Sequence, residues 1–219
     1  MSAQILFNDS GVIVLDKPAG LSVLPDGWEK DSEYLVKMLE ESYEKVYIVH
    51  RLDKITSGVM VFARDAETHR ALNIQFENHE AQKTYHAILE GNPKWDEKVA
   101  KHLLRANVGH KHRTMVDDKS GKPSETRFRV IKRFPESALV EAKPMTGRTH
   151  QIRVHAYALG HPLVEDILYG ARDRYGISRP MLHAQSLSFI HPATNERVKF
   201  SAPHPADFEE ALNILGVSY

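Results

Sequence analysis

The 219-residue chain has no cysteine. That absence excludes disulfides, thiolate zinc sites and a thiol nucleophile, and it agrees with a cytoplasmic setting. Long hydrophobic runs are missing too: no apolar stretch approaches the roughly 18 residues that a membrane span needs. The first residues, MSAQILFNDSG, carry neither a charged leader nor an extended apolar run, so no secretory signal is expected. Net charge is also lacking, with 29 basic against 29 acidic side chains. That balance alone gives no reason to expect a polyanionic partner.

The distribution of charge says more. From Lys98 to Arg133 there are eleven Lys or Arg and three Asp or Glu, whereas Asp26 to Glu44 holds seven acids and two lysines. This asymmetry implies a basic face on a neutral body, suited to holding a polyanion locally. A solvated loop region with a chance bias would look the same in sequence.

Along the chain, ILF-NDSG-VIVLDKP reads as two strands around a turn. Asp31 or Ser32 is placed to cap a helix reaching about Tyr43. SGVMVFARD is a strand whose unbroken apolar run implies burial on both faces. A helix from Ala66 to about Phe76 and the strand QKTYHAILEG follow. HRTMVDD, SETRFRVIKRF and ESALVEAKPM suggest an antiparallel meander. TGRTHQIRVHAYALGHP returns to helical spacing, with Thr149 as N-cap and Gly160 and Pro162 as the stop. A hairpin (HAQSLSFIHPATNERVKFSAP) and a closing helix (ADFEEALNIL) end the chain. No repeat, low-complexity tract or long linker divides it. The expectation is one α+β domain over residues 1–219, a largely antiparallel mixed sheet flanked by helices and loops.

Ten residues concentrate the chemistry. VHRLDKITSG, Val49 to Gly58, sets His50, Arg51, Asp53, Lys54, Thr56 and Ser57 between two apolar segments. Flanking Arg51 and Lys54 favour an ionised Asp53, which could be a nucleophile, a general base or one half of a structural ion pair. The histidines at 110, 112, 150, 155 and 183 show no metalloenzyme spacing, and the Lys111 and Arg113 cations disfavour a metal beside His110 and His112. TGRTHQIRVH places Arg148 and Arg153 at a helix start, where they could hold a phosphate or a buried carboxylate such as Asp53. Tyr85 shares a strand face with Lys83 and is either core or a ring on which a base stacks. Taken alone, these residues stop at a polyanion-binding protein, with an enzyme centred on Asp53 as one reading of it.

The full set resembles the RluA-type pseudouridine synthase family. DKPAGL (16–21), HRLDKITSG (50–58), KTY (83–85), TGRTHQIRVHAYALGHPL (146–163) and LHAQSLSFIHP (182–192) stand in the family's order. The resemblance implies an isomerase that converts uridine in RNA to pseudouridine without cofactor or metal. It implies Asp53 as the catalytic carboxylate acting on a flipped-out nucleotide, by attack at C1′ or by removal of a 2′ proton. It further implies Arg153 as the cation paired with that aspartate, Tyr85 as the ring on the uracil, and Arg51 as the side chain entering the vacated stack. His50, Thr56 and Arg148 within the motifs, with Lys111 and Arg113 in the basic segment, complete the expected substrate contacts. Thr56, Ser57 and Gly58 also suit shaping the loop.

The expected substrate is stem-loop ribosomal or transfer RNA, bound by a monomer without an obligate protein partner. Two departures from the family pattern stand out. Glu165 occupies a position where Gly commonly precedes the aspartate, and the expectation is a catalytic core without an S4-like domain. A non-catalytic RNA-binding module of the same fold is the alternative, and a metal-dependent nuclease or phosphatase a weaker one.

Overall fold

The computed structural model describes residues 3–25, 33–109, 113–173 and 175–216. They form β1 (Gln4–Asn8), β2 (Val12–Lys17), α1 (Leu35–Tyr43), β3 (Tyr47–Ile48), β4 (Ser57–Ala63), α2 (Ala66–Glu77) and β5 (Gln82–Glu90). These are followed by β6 (Glu97–Val108), β7 (Arg113–Val116), β8 (Lys122–Arg133), β9 (Ser137–Pro144) and α3 (Gln151–Ala158). A 3-10 turn (Ile167–Tyr169), β10 (Leu182–Ile190), β11 (Arg197–Ser201) and α4 (Ala206–Gly216) complete an α+β fold. The chain packs as two units, Met1–Lys83 with Ala184–Pro203, and Thr84–His183 with His204–Tyr219. No helix of the described residues is long and apolar enough to cross a membrane.

In the first unit the strands run β1-β2-β4-β10, with β11 on β10 and β3 on β4. β2 and β4 pair antiparallel from Val12↔Ala63 to Lys17↔Gly58. Every residue of β4 is buried, as its unbroken apolar run requires. Asp65 caps α2, accepting from the Thr68 amide (2.8 Å) and hydroxyl (2.7 Å). The helix buries Leu72 among Val12, Val14, Val61 and Phe189. Its Gln75 side chain pairs with the backbone of Ile190 through both amide atoms, replacing a missing ladder rung.

In the second unit the order is β5-β9-β8-β6-β7, all antiparallel. α3 packs Ile152 and Ala156 onto Phe128, Val140 and Ala142. β6 is the element the sequence hides. Of its twelve residues only Ala100 and Leu104 are buried, so it shows no clean period of two. The α3 N-cap is His150, in the left-handed region (φ 52°), and not Thr149. The reason lies in Gln151, whose carbonyl oxygen accepts from the Thr146 hydroxyl (2.6 Å) and the Arg148 amide (3.0 Å), turning the chain one residue later. The cap expected at Asp31 or Ser32 lies outside the described residues; α1 starts at Leu35 with Tyr34 at its N-cap position.

Gly58 opens β4 at φ 115°, a conformation available only to glycine, and an added Cβ would lie 2.2 Å from the Ala184 carbonyl oxygen. Gly58→Ala is therefore expected to destabilise the fold by at least ~2 kcal/mol, from backbone strain and the displacement of β10. Chemical denaturation measures this; an unchanged midpoint would contradict the packing.

Candidate active site

The loop between β3 and β4 is held from several directions. Lys17, at the end of β2, is fully buried. Its ammonium donates to the carbonyls of Pro18 (2.8 Å), Leu21 (2.8 Å) and Lys54 (3.2 Å). The Lys54 carbonyl also accepts from the Gly20 amide at 2.8 Å, so the DKPAGL turn grips the residue next to Asp53. The Thr56 amide donates to the Asp53 carbonyl at 3.0 Å and closes the turn. Thr56 and Ser57 are themselves buried, which suits shaping the loop. Asp53 is partly exposed and Arg51 fully so, while Leu52 between them is buried as an anchor. Burial pushes the Asp16 carboxyl up, against the Lys17 charge and the Gly58 amide, which both favour its ionised form.

His50 stacks on Phe76 (4.8 Å between centroids, 22°) and accepts the Val61 amide on Nε2 at 3.2 Å. An N–H donated into Nε2 requires an unprotonated nitrogen there, so the ring is neutral with its proton on Nδ1. Burial, and then the nearby Lys83 ammonium, lower its pKa to about 3. Lys83 lies 5.9 Å above the same Phe76 ring, and burial lowers its own pKa. His50 thus anchors the loop through its ring nitrogen.

In the second unit, Tyr85 stands on β5 opposite Ala142 of β9, half-buried against the core of Phe128, Val140 and Leu163. Arg153 of α3 is buried and grips Asp166 with two bonds, Nε to Oδ2 and Nη2 to Oδ1, both 2.7 Å. Its guanidinium also sits 5.0 Å from the Tyr169 ring centre. The Tyr169 hydroxyl accepts from the Thr114 amide and bonds His150 Nδ1, both at 3.0 Å. Burial raises the Tyr169 pKa. Glu165, beside Asp166, takes the left-handed φ of 61° that a glycine adopts without strain, and its carboxylate accepts the Tyr175 amide at 2.8 Å. The loop therefore keeps a glycine-type backbone despite its bulky residue.

The basic segment is less uniformly basic in space than in sequence. Lys101 and Arg127 share Glu125, Arg129 and Lys143 share Glu141, Arg133 meets Asp96, and Arg105 meets Asp117. Arg113 opens β7 half-buried, Arg148 is exposed on the loop before α3, and Lys111 lies outside the described residues. Among the described residues no three His, Asp or Glu side chains converge as a metal set.

Comparison with known proteins bears directly on this arrangement. The model of the RNA pseudouridylate synthase family matches residues 11–158, which include the Asp53 loop, Tyr85 and Arg153. The chain belongs to this family. It is an RNA pseudouridine synthase, an isomerase. The synthase is 37% identical over 218 residues to ribosomal large subunit pseudouridine synthase C of Vibrio cholerae, covering 95% of this chain and 68% of that one. It is 34% identical to ribosomal large subunit pseudouridine synthase D of Zymomonas mobilis, over 98% of this chain and 73% of the relative. Among solved structures, human RNA pseudouridylate synthase domain containing 1 matches with a TM-score of 0.78 at 29% identity, over 93% of this chain and 84% of that one.

Sequence reasoning about the synthase missed Lys17, Gln151, Asp166 and Tyr169 as site supports. Lys17 stood in the quoted DKPAGL and Asp166 beside the noted Glu165, but no spacing rule links either to its partners.

The neutral state of His50 has a consequence for stability. Its pKa in the folded chain lies below the ordinary 6.5, so the unfolded chain takes up the proton first. The stability it contributes is complete above about pH 6.5 and is lost as pH falls toward 3. Unfolding midpoints between pH 7 and 4 should therefore fall less steeply in His50→Gln than in wild type; equal slopes would show that His50 does not carry this dependence.

Proposed function

We propose that the synthase isomerises a uridine in structured large-subunit ribosomal RNA, with transfer RNA stem-loops as a further substrate class, and that Asp53 is the catalytic carboxylate. The observation that carries this reading is the clamped turn. A partly exposed carboxylate, with its backbone fixed at its own carbonyl and at that of Lys54, projects beside the exposed Arg51. Fixing a reacting group before substrate arrives is what a positioned nucleophile or base requires. The names of the ribosomal large subunit relatives support the choice of RNA.

In this reading the target uridine leaves its stack, which costs a few kcal/mol and less in a loop than in a duplex. Asp53 acts at C1′ or at the 2′ proton. The N1–C1′ bond breaks, the uracil turns, the C5–C1′ bond forms, the C5 proton passes to solvent while N1 takes one up, and Asp53 returns to its free carboxylate. Arg51, planar and permanently charged, takes the gap in the stack. Tyr85 offers its ring to the uracil. Arg153, held by Asp166 through two of its five N–H donors, serves as the cation for the catalytic carboxylate. The protein works as a monomer in the cytoplasm without an obligate partner.

Tritium release from RNA labelled at uridine C5 measures the reaction directly. Asp53→Asn should abolish release while RNA affinity stays within roughly threefold, less than the tenfold worth about 1.4 kcal/mol. Substantial residual turnover in that variant would rule out Asp53 as the catalytic group. Wild-type protein that binds RNA but releases no tritium would favour a non-catalytic module.

A further inference from the structure

We propose that a pocket in the second unit, edged by Lys122 and Arg148, binds a phosphodiester of the substrate's RNA backbone. This rests on the reading of the chain as an enzyme acting on RNA. The pocket has a volume of about 410 Å³ and lies where β6, β7, the turn before β8 and the loop before α3 meet. Three cations (Arg105, Lys122, Arg148) and three hydroxyls (Thr114, Ser120, Thr149) line it, and among the described residues no carboxylate does.

The cations differ in how they are held. Asp117 orients Arg105 through a 2.7 Å ion pair and is itself fixed by the Lys119 and Ser120 amides, each 3.0 Å away. Arg148 is steadied without being neutralised: its Nε donates to the Pro123 carbonyl at 3.3 Å, and its backbone amide donates to Gln151. Among the described residues neither Arg148 nor Lys122 has a carboxylate within ion-pair distance. Lys101, Arg105, Arg127, Arg129 and Arg133 of the basic segment each have one. The turn that brings Lys122 to the pocket is tightly built, since a Cβ on Gly121 would lie 2.5 Å from the backbone of Leu103.

The lining is made of donors. Thr114 is 1% exposed and is fixed by the Tyr169 hydroxyl, to which its amide donates at 3.0 Å and which its side chain also bonds. A wall of cations and hydroxyls with no carboxylate among the described residues is matched by an acceptor-only ligand. A phosphodiester is such a ligand. Among the described residues the pocket has no aromatic wall on which a base could stack, which favours the sugar–phosphate backbone over a nucleobase or a free nucleotide. Contacts of this kind fix the register of the RNA and read none of its sequence.

The test compares wild type with the Lys122→Ala/Arg148→Ala double variant on two probes: transcribed large-subunit ribosomal RNA and a random-sequence single-stranded RNA. The double variant should bind both probes more weakly by a similar factor, on the order of tenfold, with a salt slope shallower by about one to two. Tritium release at saturating RNA should persist with a raised KM. Lys122→Arg/Arg148→Lys should recover most of the affinity, and Lys199→Gln, on β11 in the first unit, should change none of these values.

Unchanged affinity and salt slope in the double variant would overturn the proposal. Tight binding of inorganic pyrophosphate, abolished in a double variant whose RNA salt slope is unaltered, would assign the pocket to a free phosphate and equally overturn it. Wild type that binds both RNAs without tritium release would instead refute the pseudouridylation reading, leaving the pocket to be judged by the same salt slopes.

Discussion

The loop that carries Asp53 depends on one buried ammonium. Lys17 reaches inside the first unit to three carbonyl oxygens, two within its own turn and one 37 residues away at Lys54. An ammonium removed from water costs several kcal/mol unless its donors are matched, and here charge-assisted bonds match them. Two of those bonds close the DKPAGL turn upon itself. The third ties that turn to the peptide following Asp53, where the Gly20 amide adds a second bond to the same oxygen. The backbone that carries the carboxylate is thus held by a side chain that is itself fully buried. The opposite end of the loop is fixed by apolar and aromatic contacts: Leu52 in the core, and His50 between Phe76 and the Val61 amide.

The second unit follows the same logic with different groups. Arg153 is buried, and Asp166 satisfies two of its donors, so the guanidinium plane is set by geometry that solvent cannot disturb. Tyr169 packs on that plane and carries the arrangement outward through its hydroxyl to Thr114 and His150. Gln151 does for the preceding loop what Lys17 does in the first unit: one side chain bonds Thr146, Arg148, Glu125 and Thr126. Left-handed backbone at His150 and Glu165 brackets this network. Conformations of this kind cost of order 1 kcal/mol or more and persist where surrounding contacts over-determine them. The Glu165 carboxylate on the Tyr175 amide is one such contact.

The sequence made the motifs legible and left most of their partners hidden. β4 could be read from seven consecutive residues able to be buried, and α2 from its period of apolar side chains. Asp53, Tyr85 and Arg153 stood out as candidates because their motifs are specific. What could not be read was the company each residue keeps. Phe76 beneath His50 and the Glu141 shared by Arg129 and Lys143 are set by strand register and helix docking, which no local spacing encodes. β6 escaped because a strand with both faces largely wet has no hydrophobic period. Thr149 as N-cap failed for a related reason: the capping preference of a threonine is worth about 1 kcal/mol, and the several bonds of the Gln151 side chain outweigh it.

Zero net charge and a polyanionic substrate are reconciled by how the cations are spaced. A uniformly basic strand face would attract any nucleic acid and let it slide, since phosphate attraction is independent of sequence and register. On β6, β8 and β9 that attraction is cancelled locally by Glu125, Glu141 and Asp96, which strand pairing or loop placement brings among the arginines and lysines. Such exposed pairs add little to stability, because solvent screens them and their side chains lose freedom in forming them. Their larger effect is on the field: neutralising most of the face confines positive potential to the places where a cation has no carboxylate beside it. With Asp53 as the proposed catalytic carboxylate, an enzyme that presents one uridine among many to it gains more from a few discrete phosphate contacts than from a broad basic surface. Discrete contacts impose a register, and a register is what that proposed role requires.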